Sequence, residues 1–147
     1  MNLDDKGRVL VVEDEPAVRG WLAIQLRRGG YQAFAAGTVE EARVRMSTTK
    51  PDVVILDLGL PDGSGLEFLD EMRNEEGSSG VPVVVLTGRE PAEVKSPSLR
   101  GGAQIFLRKP ARGAELLDAI AKLIARNQRP VADLFEWQRS QRFGWRG

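Results

Sequence analysis

Five short, mostly apolar segments alternate along the chain with segments of helical period. These apolar segments occupy residues 8–12, 32–36, 52–56, 81–86 and 104–108. Several are nearly continuous runs of Val, Ile and Leu, which is typical of parallel strands that helices cover on both faces. Such alternation favours right-handed crossovers and a doubly wound α/β sheet. Five strands predict the flavodoxin-like order 2-1-3-4-5 rather than a six-stranded dinucleotide-binding fold.

One of the helical segments departs from the pattern. Residues 89–102 stand where a fourth helix is expected, yet they include Pro91 and Pro97. A proline inside a helix removes a backbone donor and clashes with the preceding turn, at about 3 kcal/mol. We therefore predict an irregular or shortened fourth helix. An ordinary helix that starts at Ser96 and Pro97 is the alternative.

The composition excludes several kinds of chemistry. Among 147 residues, 21 Lys and Arg balance 21 Asp and Glu, so net charge indicates neither nucleic acid nor an anionic membrane as a partner. Cys and His are absent, which leaves oxygen atoms as metal ligands and favours Mg²⁺, Ca²⁺ or Mn²⁺. No signal peptide is visible, and no apolar run approaches the roughly 18 residues of a membrane helix. We expect a cytoplasmic protein.

Residues able to carry chemistry follow four of the five predicted strands. In chain order they are Glu13 and Asp14, Asp57, Thr87, and Lys109. Each has an ordinary explanation, such as acids in the first turn of a helix or an aspartate in a turn. However, the carboxyl ends of parallel strands share one edge of the sheet, where ligands of such folds bind. We therefore expect these side chains to form one site.

The expected site suits phosphoryl transfer. Crowded carboxylates repel each other and require a cation, and Mg²⁺ accepts carboxylates together with phosphate oxygens. An aspartate can attack phosphorus as a nucleophile, and Asp57 directly follows a segment that is predicted to be a buried strand. The ammonium of Lys109 would neutralise charge on the transferred group, and the hydroxyl of Thr87 would hydrogen-bond its oxygens.

Four motifs carry a resemblance to a known family. They read VLVVEDEP, DVVILDLGLPDGSG, VVVLTG and AQIFLRKP in chain order. Over residues 7–127 the chain resembles the receiver domain of two-component response regulators. The resemblance implies that Asp57 accepts a phosphoryl group from the phosphohistidine of a sensor histidine kinase or a phosphotransfer protein. It also implies Mg²⁺ bound by Asp14, Asp57 and the backbone carbonyl of Gly59, with Glu13 acting through water.

The resemblance assigns further roles near the phosphoacceptor. Thr87 and Lys109 would bind the phosphoryl group, Phe106 would be the switch aromatic, and the peptide bond before Pro110 would be cis. Gly59 and Arg89 would tune hydrolysis of the acyl phosphate. Two of these residues have an alternative interpretation: Phe106 as a plain core aromatic, and Arg89 as a solvated side chain. Phe106 also lacks the hydroxyl that a switch side chain could use as a donor.

The chain divides into a predicted receiver domain, residues 1–127, and a tail, residues 128–147. The tail is too short for a helix-turn-helix module, so we expect no DNA-binding domain in this chain. Its Trp, Phe and Arg residues are typical of contact surfaces, which favours a partner interface or a homodimer. A short helix, a linker and a frayed terminus are the other interpretations.

The preferred function is a phosphorylation-switched signalling protein that acts by binding a downstream protein, not an enzyme in the turnover sense. A receiver within a longer regulator or a hybrid kinase is the first alternative. An aspartyl-phosphate phosphatase is less favoured, because such enzymes often have an acid two residues after the nucleophile, where this chain has Gly59. A flavin-binding module lacks support from any phosphate-binding loop after the first strand. A degenerate receiver that never takes phosphate is the remaining alternative.

Overall fold

The computed structural model describes residues 5–88, Pro97 and residues 100–127. Its strands are β1 (Arg8–Val12), β2 (Gln32–Ala36), β3 (Val53–Leu56), β4 (Gly59–Leu60), β5 (Gly63–Ser64), β6 (Val83–Thr87) and β7 (Ile105–Arg108). Five of them form one parallel sheet in the order β2-β1-β3-β6-β7. The two-residue strands β4 and β5 form a separate antiparallel ribbon. Strands β6 and β7 correspond to the fourth and fifth predicted strands. The predicted flavodoxin-like order 2-1-3-4-5 is therefore confirmed.

Four described helices cover the two faces of the sheet. They are α1 (Pro16–Arg28), α2 (Val39–Thr49), α3 (Gly65–Asn74) and α4 (Gly113–Asn127). Leu10 and Val12 of β1 lie in one core cluster with apolar residues of α2 and α3. Val9 and Val11 lie in a second cluster with residues of α1 and α4. The central strands β1, β3 and β6 therefore bury both faces, which explains the continuous apolar runs in the sequence. No helix in the described ranges is long and apolar enough to cross a membrane.

The proline-bearing segment 89–102 is described only in part. Pro97 and Arg100 are helical, and the amide of Gly101 donates to the carbonyl of Pro97 at 2.9 Å. Pro97 is the acceptor in this bond, a role that its missing N–H does not affect. The other residues between 89 and 99 lie outside the described part of the chain, so the shortened helix stays a prediction.

The hydrogen-bond ladder of the sheet continues one residue beyond three of its strands. In each case a residue of the predicted site donates its backbone N–H, over 2.9 Å, to a carbonyl of a neighbouring strand. The three bonds join Glu13 to Ala36, Asp57 to Val12, and Lys109 to Thr87. The backbone of the predicted site is thus part of the rigid sheet rather than of flexible loops.

The β4–β5 ribbon returns the chain so that α3 begins against the end of β3. The Gly65 amide donates to the Leu58 carbonyl at 3.0 Å, and the Ser64 hydroxyl accepts from the Leu66 amide at 3.1 Å. A Cβ atom on Gly65 would lie 2.6 Å from the Asp57 carbonyl oxygen and 2.6 Å from Leu58 Cα. Only glycine permits this approach of two backbone segments.

Replacing Gly65 with alanine is expected to lower the free energy of unfolding by about 1–3 kcal/mol, because backbone atoms must move to admit the methyl group. Urea denaturation measures the change. Gly77→Ala is the matched control, since a Cβ there meets no heavy atom within 4 Å. Equal stability of the two variants would contradict this account of Gly65.

Asp62, in the turn between β4 and β5, binds the N-terminus of α2. Its carboxylate accepts from the amides of Val39 at 2.7 Å and Glu40 at 3.1 Å, which have no partner within the helix. Thr38 caps the same turn by accepting from the Glu41 amide at 3.1 Å. The bond from the Val39 amide is the main cause that holds the pKa of Asp62 below its ordinary value.

Asp62→Ala is expected to lower the free energy of unfolding at pH 7. The difference in this free energy between the variant and the wild type should shrink in acid. Because the folded-state pKa is lowered, the contribution of Asp62 is fully present above the ordinary carboxyl pKa of about 3.9 and disappears as the pH falls through the lower value. Urea denaturation over a pH series measures it. Asp70→Ala, at an exposed position of α3, is the control. A difference that does not depend on pH would refute the charged cap.

Candidate functional site

Side chains from three strand ends meet at the carboxyl edge of the sheet. One carboxylate oxygen from each of Glu13, Asp14 and Asp57 lies within 4.8 Å of the others. Lys109 Nζ donates to Glu13 Oε1 and lies 3.5 Å from Asp57 Oδ2. Glu13 and Asp57 are 1% and 8% exposed, whereas Asp14 is open to solvent. The site is therefore a mostly buried acidic cluster with one ammonium and one accessible acid.

Thr87 and Pro110 stand beside this cluster. Thr87 is the last residue of β6 and is 1% exposed, and its carbonyl accepts from the Lys109 amide. The peptide bond between Lys109 and Pro110 is cis, as the resemblance implied. The backbone thus places the threonine hydroxyl and the lysine on adjacent strands at the same edge.

Three other residues named from the sequence have different surroundings. Phe106 is half-buried and packs against the core cluster shared by α2 and α3, so its core interpretation has direct structural support. Gly59 is exposed, and a Cβ added there would meet no heavy atom within 4 Å. Arg89 lies outside the described residues.

The charges in the cluster do not balance. Burial raises the pKa of Glu13 to about 7, and the neighbouring Asp57 carboxylate adds to the rise, while Lys109 opposes it. Burial alone would lower the pKa of Lys109, but bonding to Glu13 and attraction by Asp57 raise it. Three carboxyl groups thus face one ammonium, and the raised pKa of Glu13 indicates that its negative charge is not fully compensated.

This imbalance fits a divalent cation. Glu13 Oε2 is buried and accepts no hydrogen bond within the described part of the chain. An unpaired buried carboxylate oxygen is unfavourable unless a donor or a metal satisfies it. The donor set consists of carboxylates, which suits the hard cations Mg²⁺ and Mn²⁺.

Sequence reasoning missed two polar contacts of the site. The ion pair between Lys109 and Glu13 was not predicted, because spacing along the chain does not show which acid a lysine side chain reaches. Sequence reasoning also missed Arg19, whose Nη1 donates to the carbonyls of Glu13 at 2.9 Å and Asp14 at 3.3 Å. The position of Arg19, one turn into α1 and five residues after Asp14, was the available signal.

Comparison with known proteins agrees with the fold. Residues 9–121 match the profile of the response regulator receiver domain. The chain belongs to this family.

Individual relatives show how widely such domains are used. The KDP operon transcriptional regulatory protein KdpE of Escherichia coli is 40% identical over 124 residues, which are 84% of this chain and 54% of KdpE. The crystal structure of the chemotaxis response regulator CheY4 of Vibrio cholerae has a TM-score of 0.75 and 27% identity, and the alignment covers 81% of this chain and 99% of CheY4. The receiver domain of a signal transduction histidine kinase from Syntrophus aciditrophicus has a TM-score of 0.78 and 28% identity, with 84% and 94% coverage. The chain spans about half the length of the curated relatives it matches.

Mg²⁺ is expected to raise the thermal unfolding midpoint of the wild type. At 100 times its dissociation constant, a bound ligand stabilises the folded state by about 2.7 kcal/mol. Glu13→Gln removes a buried negative charge beside Asp57. This variant should therefore unfold at the same or a higher temperature without metal and gain less from Mg²⁺. Differential scanning calorimetry with and without MgCl₂ measures both effects. Asp118→Asn, an exposed site on α4, is the control; an equal Mg²⁺ gain in both variants would contradict a cation at Glu13.

Proposed function

We propose that this chain is a phosphorylation-switched receiver that accepts a phosphoryl group on Asp57 in a Mg²⁺-dependent reaction. The observation that carries the proposal is the meeting of Asp57 with two further acids and Lys109 at the strand ends. Phosphorylation of Asp57 would change which protein the chain binds. The phosphoryl donor would be a sensor histidine kinase or a phosphotransfer protein.

In the proposed reaction Asp57 is the nucleophile. One of its carboxylate oxygens attacks the phosphorus of the donor, the P–N bond of the phosphohistidine breaks, and the imidazole leaves with the electron pair. The product is an acyl phosphate on Asp57. The carboxylate is well suited to this role because its backbone amide is fixed to Val12 of the neighbouring strand. Its small exposed fraction, 8%, restricts approach to one side.

Lys109 and Thr87 would hold the transferred group. Lys109 Nζ is already 3.5 Å from Asp57 Oδ2 and can compensate the charge that arrives with the phosphoryl oxygens. Thr87 offers a hydroxyl on the adjacent strand end, which can donate to one of those oxygens. Phe106 and Pro110 are proposed to carry the change of state along β7, Phe106 by moving within its half-buried environment.

Asp14, Asp57 and the Gly59 carbonyl are proposed to hold the metal, with Glu13 acting through water. When bound, Mg²⁺ or Mn²⁺ would neutralise charge on the phosphoryl oxygens. Gly59 has no side chain over the phosphoacceptor, so it leaves water a path to the acyl phosphate. Arg89, two residues beyond Thr87, is proposed as the second position that tunes hydrolysis.

The setting of the receiver is a separate question from its chemistry. The curated relatives named as transcriptional regulators are about twice as long as the match, which supports a receiver within a longer regulator. A stand-alone receiver, as in the match that covers 99% of CheY4, and a receiver of a hybrid kinase use the same reaction. A cytoplasmic location and a downstream protein partner belong to this proposal in all three settings.

The proposal is tested by incubating the protein with acetyl phosphate and MgCl₂ and measuring its intact mass. One added phosphoryl group is expected, because acetate can replace imidazole as the leaving group at the same phosphorus. The adduct should be absent without Mg²⁺ and absent in Asp57→Asn, but present in Asp118→Asn. Unmodified wild-type protein would support the degenerate receiver instead. Sustained hydrolysis of phosphate monoesters would support the phosphatase.

A further inference from the structure

Arg19 of α1 binds the backbone that carries the two N-terminal acids of the site. Its Nη1 donates to the Glu13 carbonyl at 2.9 Å and to the Asp14 carbonyl at 3.3 Å. The Glu13 amide is bound on its other side to the Ala36 carbonyl. Glu13 is therefore fixed through both its N–H and its C=O.

Asp14 needs this support more than the other acids do. Asp57 and Glu13 are buried and their amides are part of the sheet ladder, whereas Asp14 is exposed and precedes the helix. In the described part of the chain, the bond from Arg19 is the contact that ties the Asp14 carbonyl to the helix that follows. The direction of the Asp14 side chain depends on this peptide.

Gly37, directly after β2, makes room for the guanidinium. A Cβ atom there would lie 2.8 Å from Arg19 Nη1 and 3.6 Å from its Cζ. The φ angle of Gly37 is outside the left-handed region, so an alanine would meet no backbone strain of its own. Glycine at this position therefore leaves space for the Arg19 side chain and is not required by the backbone conformation.

We infer that Arg19, seated against Gly37, is a positioning residue that orients Glu13 and Asp14 for the divalent cation. The inference rests on the proposed function, because the cation belongs to that function. Groups that orient metal ligands typically change metal affinity by about 10- to 100-fold when they are removed. The positive charge of Arg19 has the opposite effect, since it repels a cation. Loss of positioning would weaken Mg²⁺ binding in a variant without Arg19, whereas loss of the positive charge would strengthen it. A measured Mg²⁺ affinity therefore separates the two effects.

The test is the Mg²⁺ dissociation constant of the unphosphorylated protein, measured by NMR from the backbone amide shifts of residues 57–59 during a MgCl₂ titration. Arg19→Met should weaken Mg²⁺ binding about 10-fold. Arg19→Lys keeps the charge on a side chain one atom shorter and should weaken it less. Arg27→Met is the matched control, because Arg27 lies on the same helix and donates to the Ala33 carbonyl, away from the acids. Its Mg²⁺ affinity should equal that of the wild type.

Gly37→Ala tests the same contact without changing any charge. It should weaken Mg²⁺ binding by displacing the guanidinium, and it should have no further effect in a protein that already carries Arg19→Met. Circular dichroism melts of every variant separate loss of fold from loss of affinity. In acetyl phosphate reactions the deficit of Arg19→Met should shrink as MgCl₂ is raised, which a general folding defect would not produce.

The possible failures are distinguishable. If the wild type binds Mg²⁺ and takes phosphate while Arg19→Met binds Mg²⁺ within about twofold of it or more tightly, the positioning role is overturned and the proposed function stands. An additive effect of Gly37→Ala and Arg19→Met would likewise overturn it. A wild type that neither binds Mg²⁺ nor takes phosphate overturns both.

Discussion

The repulsion among three carboxylates at one edge of the sheet is the constraint on which the rest of the structure depends. The three carboxylate oxygens lie within 4.8 Å of one another, and two like charges at that upper limit repel by roughly 3–4 kcal/mol at an effective dielectric constant near 20. Lys109 compensates only part of this energy. The strands beneath must therefore be stable enough to hold the acids together, and complete burial of a Val or Leu side chain contributes about 1.5–3 kcal/mol. Burial of the continuous apolar strands thus offsets the repulsion at the acidic edge.

The rigidity of that edge comes from backbone rather than side-chain bonds. Glu13, Asp57 and Lys109 each extend the sheet ladder by one residue, so their Cα positions are set by strand pairing. Side-chain freedom is then confined to the last few atoms of each group. The same logic explains why α3 begins so close to Asp57: Gly65 lets two backbone segments touch where any Cβ would separate them.

The sheet order and the site could be predicted because both follow from simple rules. Apolar runs locate the strands, and the residue after each run is carried to the shared edge. The strand limits were less accurate. The fourth strand was predicted from Val81 but begins at Val83, because Pro82 has no N–H for the ladder, although its carbonyl still accepts from Val54. The β4–β5 ribbon was missed because two-residue strands leave no periodic pattern.

Contacts that depend on the reach of long side chains were also invisible in the sequence. Arg73 is an example: its guanidinium donates to the carbonyls of Val81 at 2.7 Å and Gly102 at 2.8 Å, and burial lowers its pKa. Nothing in the periodicity of α3 distinguishes it from a solvated arginine. Arg19 escaped prediction for the same reason. Spacing along the chain indicates which backbone positions lie close together, but not which long side chain reaches them to form hydrogen bonds.

Lys109 is shared between two acids, and the proposed phosphorylation would change the balance between them. Without phosphate, its ammonium donates to buried Glu13 while Asp57 stays at 3.5 Å. Under the proposed phosphorylation, Asp57 gains negative charge, and a phosphoryl group carries about −1.5 to −2 at neutral pH. The balance of attraction then moves toward Asp57, and Glu13 loses part of its compensation. Glu13 is sensitive to this change, because burial raises its pKa and Lys109 opposes that rise.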